Sequence, residues 1–403
     1  MNNKIILLFC LLCSSVYAQT TMSTMKHLSD THQQNSYTNT MGEDADYHYF
    51  EPGYINNANG TITDTVTGLM WQRVDGGEMT VENAEFYCDT LTLGGFTNWR
   101  LPTCHELYSI LDHDKTNPAL DTSVFTKTLA EYWWSCQRQS NDVSKVWAVN
   151  AGGGVGNHPK TETISMGGNK HFHVRAVRDR QFTALVPVHF KDNGDGTIRD
   201  SLTHLTWTKL PLTDSLNWEN ALIAAEAYSF AGQSDWRLPN IKELQSINDE
   251  TLISPSLPLT YFNVGINQKF WASTSLPNQP TRAWYLDTRY GITTYAQKTS
   301  KLMVLLVRGD GSYTAVTPPD VHVDSAFANI SVYPNPCDQQ LKIGLPSNSQ
   351  ILQMSLFDER GRKLLTTTNQ NIIDVSTIPS GTYFISINTS TAVYNQKILI
   401  QHQ

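Results

Sequence analysis

The stretch Trp99-Arg100-Leu101-Pro102 decides the fold, because it returns as Trp236-Arg237-Leu238-Pro239 about 137 residues later. A Gly-Thr-Ile turn upstream, two tryptophan-containing strands downstream and a closing Val-Arg return with it at nearly the same offset. A period of this length is too long for a solenoid repeat and fits a whole domain. We therefore predict two copies of one domain, repeat one over residues 51–180 and repeat two over residues 187–311.

The first residues of the chain predict export. An apolar run follows Lys4, and Val16-Tyr17-Ala18 is typical of a signal-peptidase site, so residues 1–18 are predicted to be a signal peptide. No segment of the mature chain is apolar enough to form a transmembrane helix. The formal net charge of −8 argues against bulk attraction to nucleic acid or to anionic lipid.

Two segments outside the repeats are predicted to be linkers. Residues 19–50 are polar and rich in Thr, Ser, Gln and Asn, and residues 312–325 contain consecutive prolines. A separate unit is predicted to follow over residues 326–403. The number of chains in an assembly is left open by the sequence.

Each repeat contains helical patterns early and strand patterns late, which is typical of the α+β class. Apolar residues at helical spacing predict a first helix, with Thr80 and Asn217 as N-caps in the two repeats. A second helix is predicted after Trp-Arg-Leu-Pro, where Thr103 and Glu106 form a capping-box pattern. The later segments, rich in aromatic and β-branched residues, predict strands.

The order of these motifs resembles the Lcl C-terminal domain family, named for a collagen-like adhesin of Legionella. The resemblance covers both repeats and implies a C-type-lectin-like fold; for the founding adhesin it implies binding of sulfated polysaccharides. Members of the family often carry a disulfide from the first helix to a cysteine just before the final Val-Arg. Ala176 occupies that second position here, so the resemblance implies that Cys88 is free or paired with Cys104 or Cys136.

The last unit resembles the type A sorting domain of the type IX secretion system of Bacteroidetes. The resemblance rests on Tyr333-Pro334-Asn335-Pro336, on Pro379-Ser380-Gly381-Thr382-Tyr383 and on a final strand with Lys397-Ile398. It implies an all-β, immunoglobulin-like sandwich that the export machinery recognises and often removes afterwards. The mature protein is therefore predicted to cross the outer membrane and to stay at the cell surface or enter the medium.

The repeated tryptophans are predicted to be core residues rather than ligand platforms, because a small domain gains most by burying its largest side chains. Trp133 is the exception, since it alternates with Trp134 along one strand and is predicted to face solvent. Arg100 and Arg237 are predicted to pair with internal carboxylates, for example Asp64 or Glu106 in repeat one.

Metal, cofactor and enzyme sites are not predicted. The acidic stretch 192–196 fits a glycine-rich turn better than a calcium loop, because it lacks the bidentate Glu that ends an EF-hand loop. His158, His171 and His173 fit a solvated strand face better than a zinc site. No activated nucleophile or acid–base pair is recognisable, so no catalytic residue is assigned and the protein is predicted not to be an enzyme.

The leading hypothesis is an adhesin-like or lectin-like binding protein for an extracellular glycan or protein. Two tethered copies would raise the effective concentration of weak sites. Recognition is expected where the repeats differ, and aromatic and basic groups there could stack on a sugar and pair with sulfate. The candidate ligand-binding residues are Tyr132, Trp133, Arg138, Lys145, Asn157, His158 and Lys160. The alternatives are a cell-surface scaffold without a specific small ligand and, less favoured, a secreted enzyme.

Overall fold

The computed structural model describes most of the chain. The described ranges are 25–126, 132–163, 171–179, 189–212, 214–309, 331–345, 350–357, 363–389 and 393–402. The predicted signal peptide (1–18) and the predicted linker at 312–325 lie outside the described residues.

The two repeats contain the same elements in the same order. Repeat one has β1 (Tyr54–Asn56), β2 (Thr61–Asp64), β3 (Leu69–Gln72), α1 (Val81–Thr90), α2 (Cys104–Ser109), β4 (Tyr132–Gln139), β5 (Asp142–Asn150), β6 (Val155–Pro159) and β7 (Val177–Asp179). Repeat two has β8 (Phe190–Asp192), β9 (Thr197–Asp200), β10 (Thr206–Thr208), α3 (Trp218–Glu226), α4 (Ile241–Ser246), β11 (Lys269–Ser275), β12 (Arg282–Asp287), β13 (Ile292–Gln297) and β14 (Val307–Arg308). In each repeat the first three strands and the last strand form a small antiparallel sheet.

The helices begin where the capping patterns predict. Thr80 accepts a hydrogen bond from the backbone N–H of Asn83, and Asn217 makes the equivalent contact in repeat two. Thr103 and Glu106 form a complete capping box, and Asn240 and Glu243 form another. Short helices of this kind depend on satisfied ends and on tertiary packing. The described part of the molecule is mostly β with a small helical share, which is loosely compatible with the predicted α+β class; the lectin-like fold stays a prediction.

The two repeats are joined into one body by a continuous sheet. Its strand order is β11-β12-β13-β6-β5-β4, and the junction is an antiparallel pairing of Val155 with Thr293. The pairing registers inside each repeat make Val155 and Thr293 equivalent positions, since they lie opposite Val149 and Leu286. A residue that pairs with its own counterpart marks a local twofold axis, so the repeats meet as the subunits of a twofold dimer do.

The helices α2 and α4 pack across the same junction, and all six residues of each are buried. His105 and Lys242 occupy equivalent places in them and both reach across. His105 Nε2 lies 2.8 Å from the carbonyl oxygen of Gln245, and Lys242 Nζ donates to the carbonyl oxygen of Ser109 at 2.9 Å. Apolar residues of both repeats form one shared core around these helices. Each repeat also has its own smaller cluster under its first helix.

The eight repeated tryptophans are buried, as predicted. Their exposed fractions are 3% or less; the residues are Trp71, Trp99, Trp134, Trp147, Trp207, Trp236, Trp271 and Trp284. The prediction that Trp133 faces solvent is wrong, because its side chain is 2% exposed and belongs to the shared core. Its indole N–H donates to Asp75 Oδ2 at 2.9 Å. Trp133 lies in the shared core and Trp134 in the cluster under α1, so alternation along the strand separates two buried faces.

The predicted linker at 19–50 is wrong for residues 25–50, which pack on both repeats. We call residues 25–51 the strap. Gln33 of the strap exchanges two hydrogen bonds with the backbone of Ser275 in repeat two, both 2.9 Å long. The backbone N–H of His113 in repeat one donates to the carbonyl oxygen of Thr31 in the strap at 2.9 Å. Polar composition predicted a solvated segment, but a polar side chain can be buried when it has hydrogen-bonding partners.

The strap also carries two acidic residues into the interior. Glu43 is 0% exposed and accepts a hydrogen bond from the Ser275 hydroxyl, and Asp44 is 2% exposed and accepts one from Thr274. Burial raises the pKa of Asp44 well above its usual range, and the hydrogen bonds from Thr274 and Thr31 oppose that shift only in part.

The C-terminal unit is all-β in its described residues. One sheet has β15 (Ser331–Tyr333), β16 (Gln340–Gly344) and β19 (Ile372–Asp374). The other has β17 (Ile351–Phe357), β18 (Lys363–Thr368), β20 (Gly381–Thr389) and β21 (Val393–Ile400). Apolar residues from the two sheets form one core that is separate from the repeats. This two-sheet arrangement fits the predicted sandwich.

We predict that Trp133→Ala lowers the free energy of unfolding by about 3–5 kcal/mol, because it removes a fully packed indole from the shared core. The measurement is urea unfolding of the purified protein. Phe86→Ala is the matched control, since Phe86 is 69% exposed on α1 and its loss should change stability by about 0.5 kcal/mol or less. Equal losses of unfolding free energy in Trp133→Ala and Phe86→Ala would contradict the buried position of Trp133.

We predict that Lys242→Met lowers the free energy of unfolding by about 3 kcal/mol, because it removes the cation of a buried network. Lys242 is 1% exposed, donates to the carbonyl oxygens of Asp30 and Ser109, and has a pKa that burial lowers to about 8. Thermal and urea unfolding give the measurement, with the exposed Lys301→Met as control. If Lys242→Met left the free energy of unfolding unchanged, the strap and the two repeats would not be coupled through this amine.

Candidate binding cleft between the repeats

A cleft of about 460 Å³ lies at the junction of the two repeats. Its wall on one side comes from β4, β6 and the β5–β6 turn, and on the other side from β12, β13 and the loop after β11. Its volume falls within the range of small-molecule sites, which form preferentially where domains meet. The cleft exists only because β6 and β13 pair, so neither repeat contains it alone.

Glycines in the β5–β6 turn let the two walls approach. Gly153 has a φ of +103°, which side-chain-bearing residues rarely adopt, and a Cβ there would lie 3.0 Å from the Trp284 ring. A Cβ on Gly154 would lie 3.0 Å from the Thr293 carbonyl oxygen. The run Gly152-Gly153-Gly154 is the signal in the sequence that could have indicated this close backbone approach.

Aromatic rings from both repeats line the cleft. On the side of repeat one, Tyr132 stacks on Phe172 with ring centroids 4.6 Å apart and an angle of 15°, and its edge contact with His158 is 4.8 Å. On the side of repeat two, Tyr295 packs edge-on against Trp284 at 5.5 Å. Tyr295 is 37% exposed, and the guanidinium of Arg282 lies over its ring at 5.3 Å from the centroid.

Apart from the imidazole of His158, the polar side chains of the cleft are amides and hydroxyls. Asn117 and Asn150 come from repeat one, and Asn278 and Gln279 come from repeat two, with several threonines between them. Among the described residues, no Asp, Glu, Lys or Arg side chain lines the cleft. Such a set offers hydrogen-bond donors and acceptors without a net charge.

Two of the seven predicted binding residues, Tyr132 and His158, line the cleft. Asn157 lies beside it on β6, where its amide donates to Gln139 Oε1. Trp133 does not line the cleft, because its side chain is buried in the shared core. Long-range pairing of β6 with β13 created the cleft, so the repeat-two residues such as Tyr295 could not be found by comparing loops within the sequence.

The three predicted basic residues do not line the cleft. Arg138 pairs with Glu85 at 2.6 Å and Lys160 with Glu82 at 3.6 Å, and both acids belong to α1. Lys145 is half-buried on β5, away from the cleft. The predicted surface is therefore divided, with Tyr132 in the cleft, Trp133 in the core, and Arg138 and Lys160 paired with acids of α1.

The repeated arginines are structural, as predicted. Arg100 binds Glu106 through both terminal nitrogens at 2.6 and 2.7 Å and also pairs with Asp179. Arg237 makes the same two-point contact with Glu243. Glu106 also accepts from the backbone N–H of Thr103, so one carboxylate fixes the arginine and caps α2.

The other predicted features also have ordinary structural partners. Asp195 accepts from Thr197 in the predicted turn at 192–196. His173 Nδ1 contacts Asp75 Oδ1 at 2.6 Å, and His158 Nδ1 contacts Glu162 at 3.1 Å. All four cysteines of the described residues are free thiols. No helix in the described ranges is long and apolar enough to cross a membrane.

The comparisons with known families agree with this architecture. The Lcl C-terminal domain model matches residues 60–178 and 196–308, and the secretion system C-terminal sorting domain model matches residues 331–401. No curated protein is significantly similar to the chain. The sorting domain marks the protein for export by the type IX machinery to the cell surface or the extracellular space. Since its two matched segments cover more than half of the residues, the chain belongs to the Lcl C-terminal domain family and carries two copies of that domain.

Proposed function

We propose that the protein is an extracellular binding protein, without catalytic activity, that holds one uncharged glycan in the cleft between its repeats. The observation that carries the proposal is the lining of the cleft, which combines aromatic rings from both repeats with amides, hydroxyls and the imidazole of His158, and which has no Asp, Glu, Lys or Arg side chain among the described residues. Export to the cell surface or the medium places the cleft where extracellular polysaccharides are present.

Sugar rings suit this lining. The C–H faces of a pyranose ring pack on aromatic rings, and Tyr132 and Tyr295 line the cleft from opposite sides. Sugar hydroxyls both donate and accept hydrogen bonds, and the side chains of Asn117, Asn150, Asn278 and Gln279 do the same. A concave cleft of this size also suits a few sugar units better than the broad, flatter interface that a folded protein partner requires.

The proposed ligand is neutral rather than sulfated. Recognition of sulfate favours arginine or lysine donors at the contact, because charge-assisted hydrogen bonds are the strong ones. Arg138 and Lys160 are held by Glu85 and Glu82 and do not line the cleft. The sulfated ligand implied by the resemblance to the founding adhesin therefore does not match the chemistry of this cleft.

The proposed stoichiometry is one ligand per chain. Equivalent positions hold different residues in the two repeats; the pairing registers equate Tyr295 with Asn157, for example, and only Tyr295 lines the cleft. A site built from two unlike halves on a local twofold axis occurs once, whereas two independent lectin sites would bind two ligands.

We predict that neutral oligosaccharides on a glycan array bind the exported chain, and that calorimetry with the best of them gives one site per chain. Tyr295→Ala and Tyr132→Ala should each weaken binding about tenfold, corresponding to about 1.4 kcal/mol of lost stacking. The loss follows from removing one aromatic wall.

Arg138→Ala and Lys160→Ala are the controls and should leave the affinity unchanged. Binding confined to sulfated glycans, with loss in the Arg138 variant, would contradict the neutral cleft. Equal low signal across all glycans would support the scaffold alternative instead.

We predict that deletion of residues 326–403 leaves the two repeats in the periplasm, because it removes the unit that the type IX machinery recognises. Immunoblots of periplasm, cell surface and medium provide the measurement. A chain with Trp133→Ala and an intact tail controls for reduced stability alone. Undiminished surface or medium protein after the deletion would contradict the role of the tail.

A further inference from the structure

Metal-ligating side chains meet where the two ends of the strap come together. Asp30, His48 and Glu51 each offer one ligand atom, and the three atoms lie within 4.8 Å of one another. His48 Nδ1 is 2.9 Å from Glu51 Oε1. Among the described residues, no other group of three such side chains has its ligand atoms this close.

The buried member of the group is held in place by the backbone. Asp30 is 4% exposed, and its carboxylate accepts from the backbone N–H of His32 at 2.9 Å, from that of Tyr49 at 3.4 Å and from the Thr31 hydroxyl at 3.4 Å. The backbone N–H of Asp30 donates to the Phe50 carbonyl at 3.1 Å. A carboxylate has about four lone-pair positions, so these contacts leave Asp30 room for a metal bond.

A second histidine stands beside the group. His32 Nε2 lies 3.9 Å from Glu51 Oε2, and its other ring nitrogen, Nδ1, lies 3.1 Å from Asp112 Oδ2. Metal-ligating histidines commonly bind a carboxylate through the nitrogen that does not face the metal. Lys115 holds the same Asp112 carboxylate at 2.8 Å, which fixes this outer partner.

We propose that Asp30, His48 and Glu51 supply three ligands of a Zn²⁺ site that closes the strap. Imidazole nitrogens with carboxylate oxygens form a common zinc ligand set, whereas Ca²⁺ prefers oxygen ligands alone.

The site joins the first and last turns of the strap. The segment between them inserts Glu43 and Asp44 into repeat two. A bond that closes such a loop lowers the entropy of the unfolded chain, as a disulfide does, and the cysteines of the described residues form no disulfide. Zinc therefore stabilises the packing of the strap across the junction, independently of any glycan in the cleft.

The test is a calorimetric titration of ZnCl₂ into the full chain without its signal peptide, after removal of metals with a chelator. The expected result is one Zn²⁺ per chain together with a higher Tm. His48→Ala and Glu51→Gln should each lower the zinc affinity at least tenfold and abolish the rise in Tm. Both side chains are more than a third exposed, so the metal-free variants should keep the Tm of the metal-free parent.

His402→Ala is the matched control, because His402 pairs with Asp338 at the same 2.9 Å in the C-terminal unit but belongs to no three-ligand group among the described residues. It should bind zinc as the parent does. Equal zinc affinity in the parent and in both cluster variants would overturn the proposal, as would zinc binding without any change in Tm. A change in Tm with CaCl₂ equal to that with ZnCl₂ would overturn the choice of metal.

Discussion

The pairing of β6 with β13 is the contact on which the rest of the repeat architecture depends. It places Val155 opposite Thr293, its own counterpart, and so brings the two copies together around a local twofold axis. The shared core, the burial of α2 and α4, the cleft and the docking surface of the strap all lie at this junction. Separating the repeats would expose to water the apolar side chains that both copies contribute to the shared core.

Duplication within one chain lets the two halves of a symmetric interface differ. His105 and Lys242 occupy equivalent places in α2 and α4, and each contacts a carbonyl oxygen of the other repeat, yet only Lys242 also binds the strap. A dimer of identical chains would have the same residue at both places and could not accept a single strap in this way. The cleft is asymmetric for the same reason, because its two walls come from copies that carry different residues at equivalent positions.

The sequence predicted best the features that depend on residues close together in the chain. The capping boxes, the Arg–Glu pairs and the buried tryptophans depend on short motifs that appear in both copies, and the structure confirms them. Features that depend on contacts between residues distant in the sequence were missed. Trp133 was assigned to solvent because its strand alternates, and the strap was assigned to a linker because it is polar. In both places a partner distant in sequence supplies the burial and the hydrogen bonds.

The strap has a consequence for the order in which the chain folds. Its residues are synthesised first, but Gln33 binds Ser275, 242 positions later, and Thr274 binds Asp44 across 230 positions. Contacts of such long sequence separation form late, because a large loop must be closed before they contribute. The strap can therefore reach its final place only after repeat two has emerged and folded. Until then the acidic side chains of the strap remain in water, and the junction between the repeats stays uncovered.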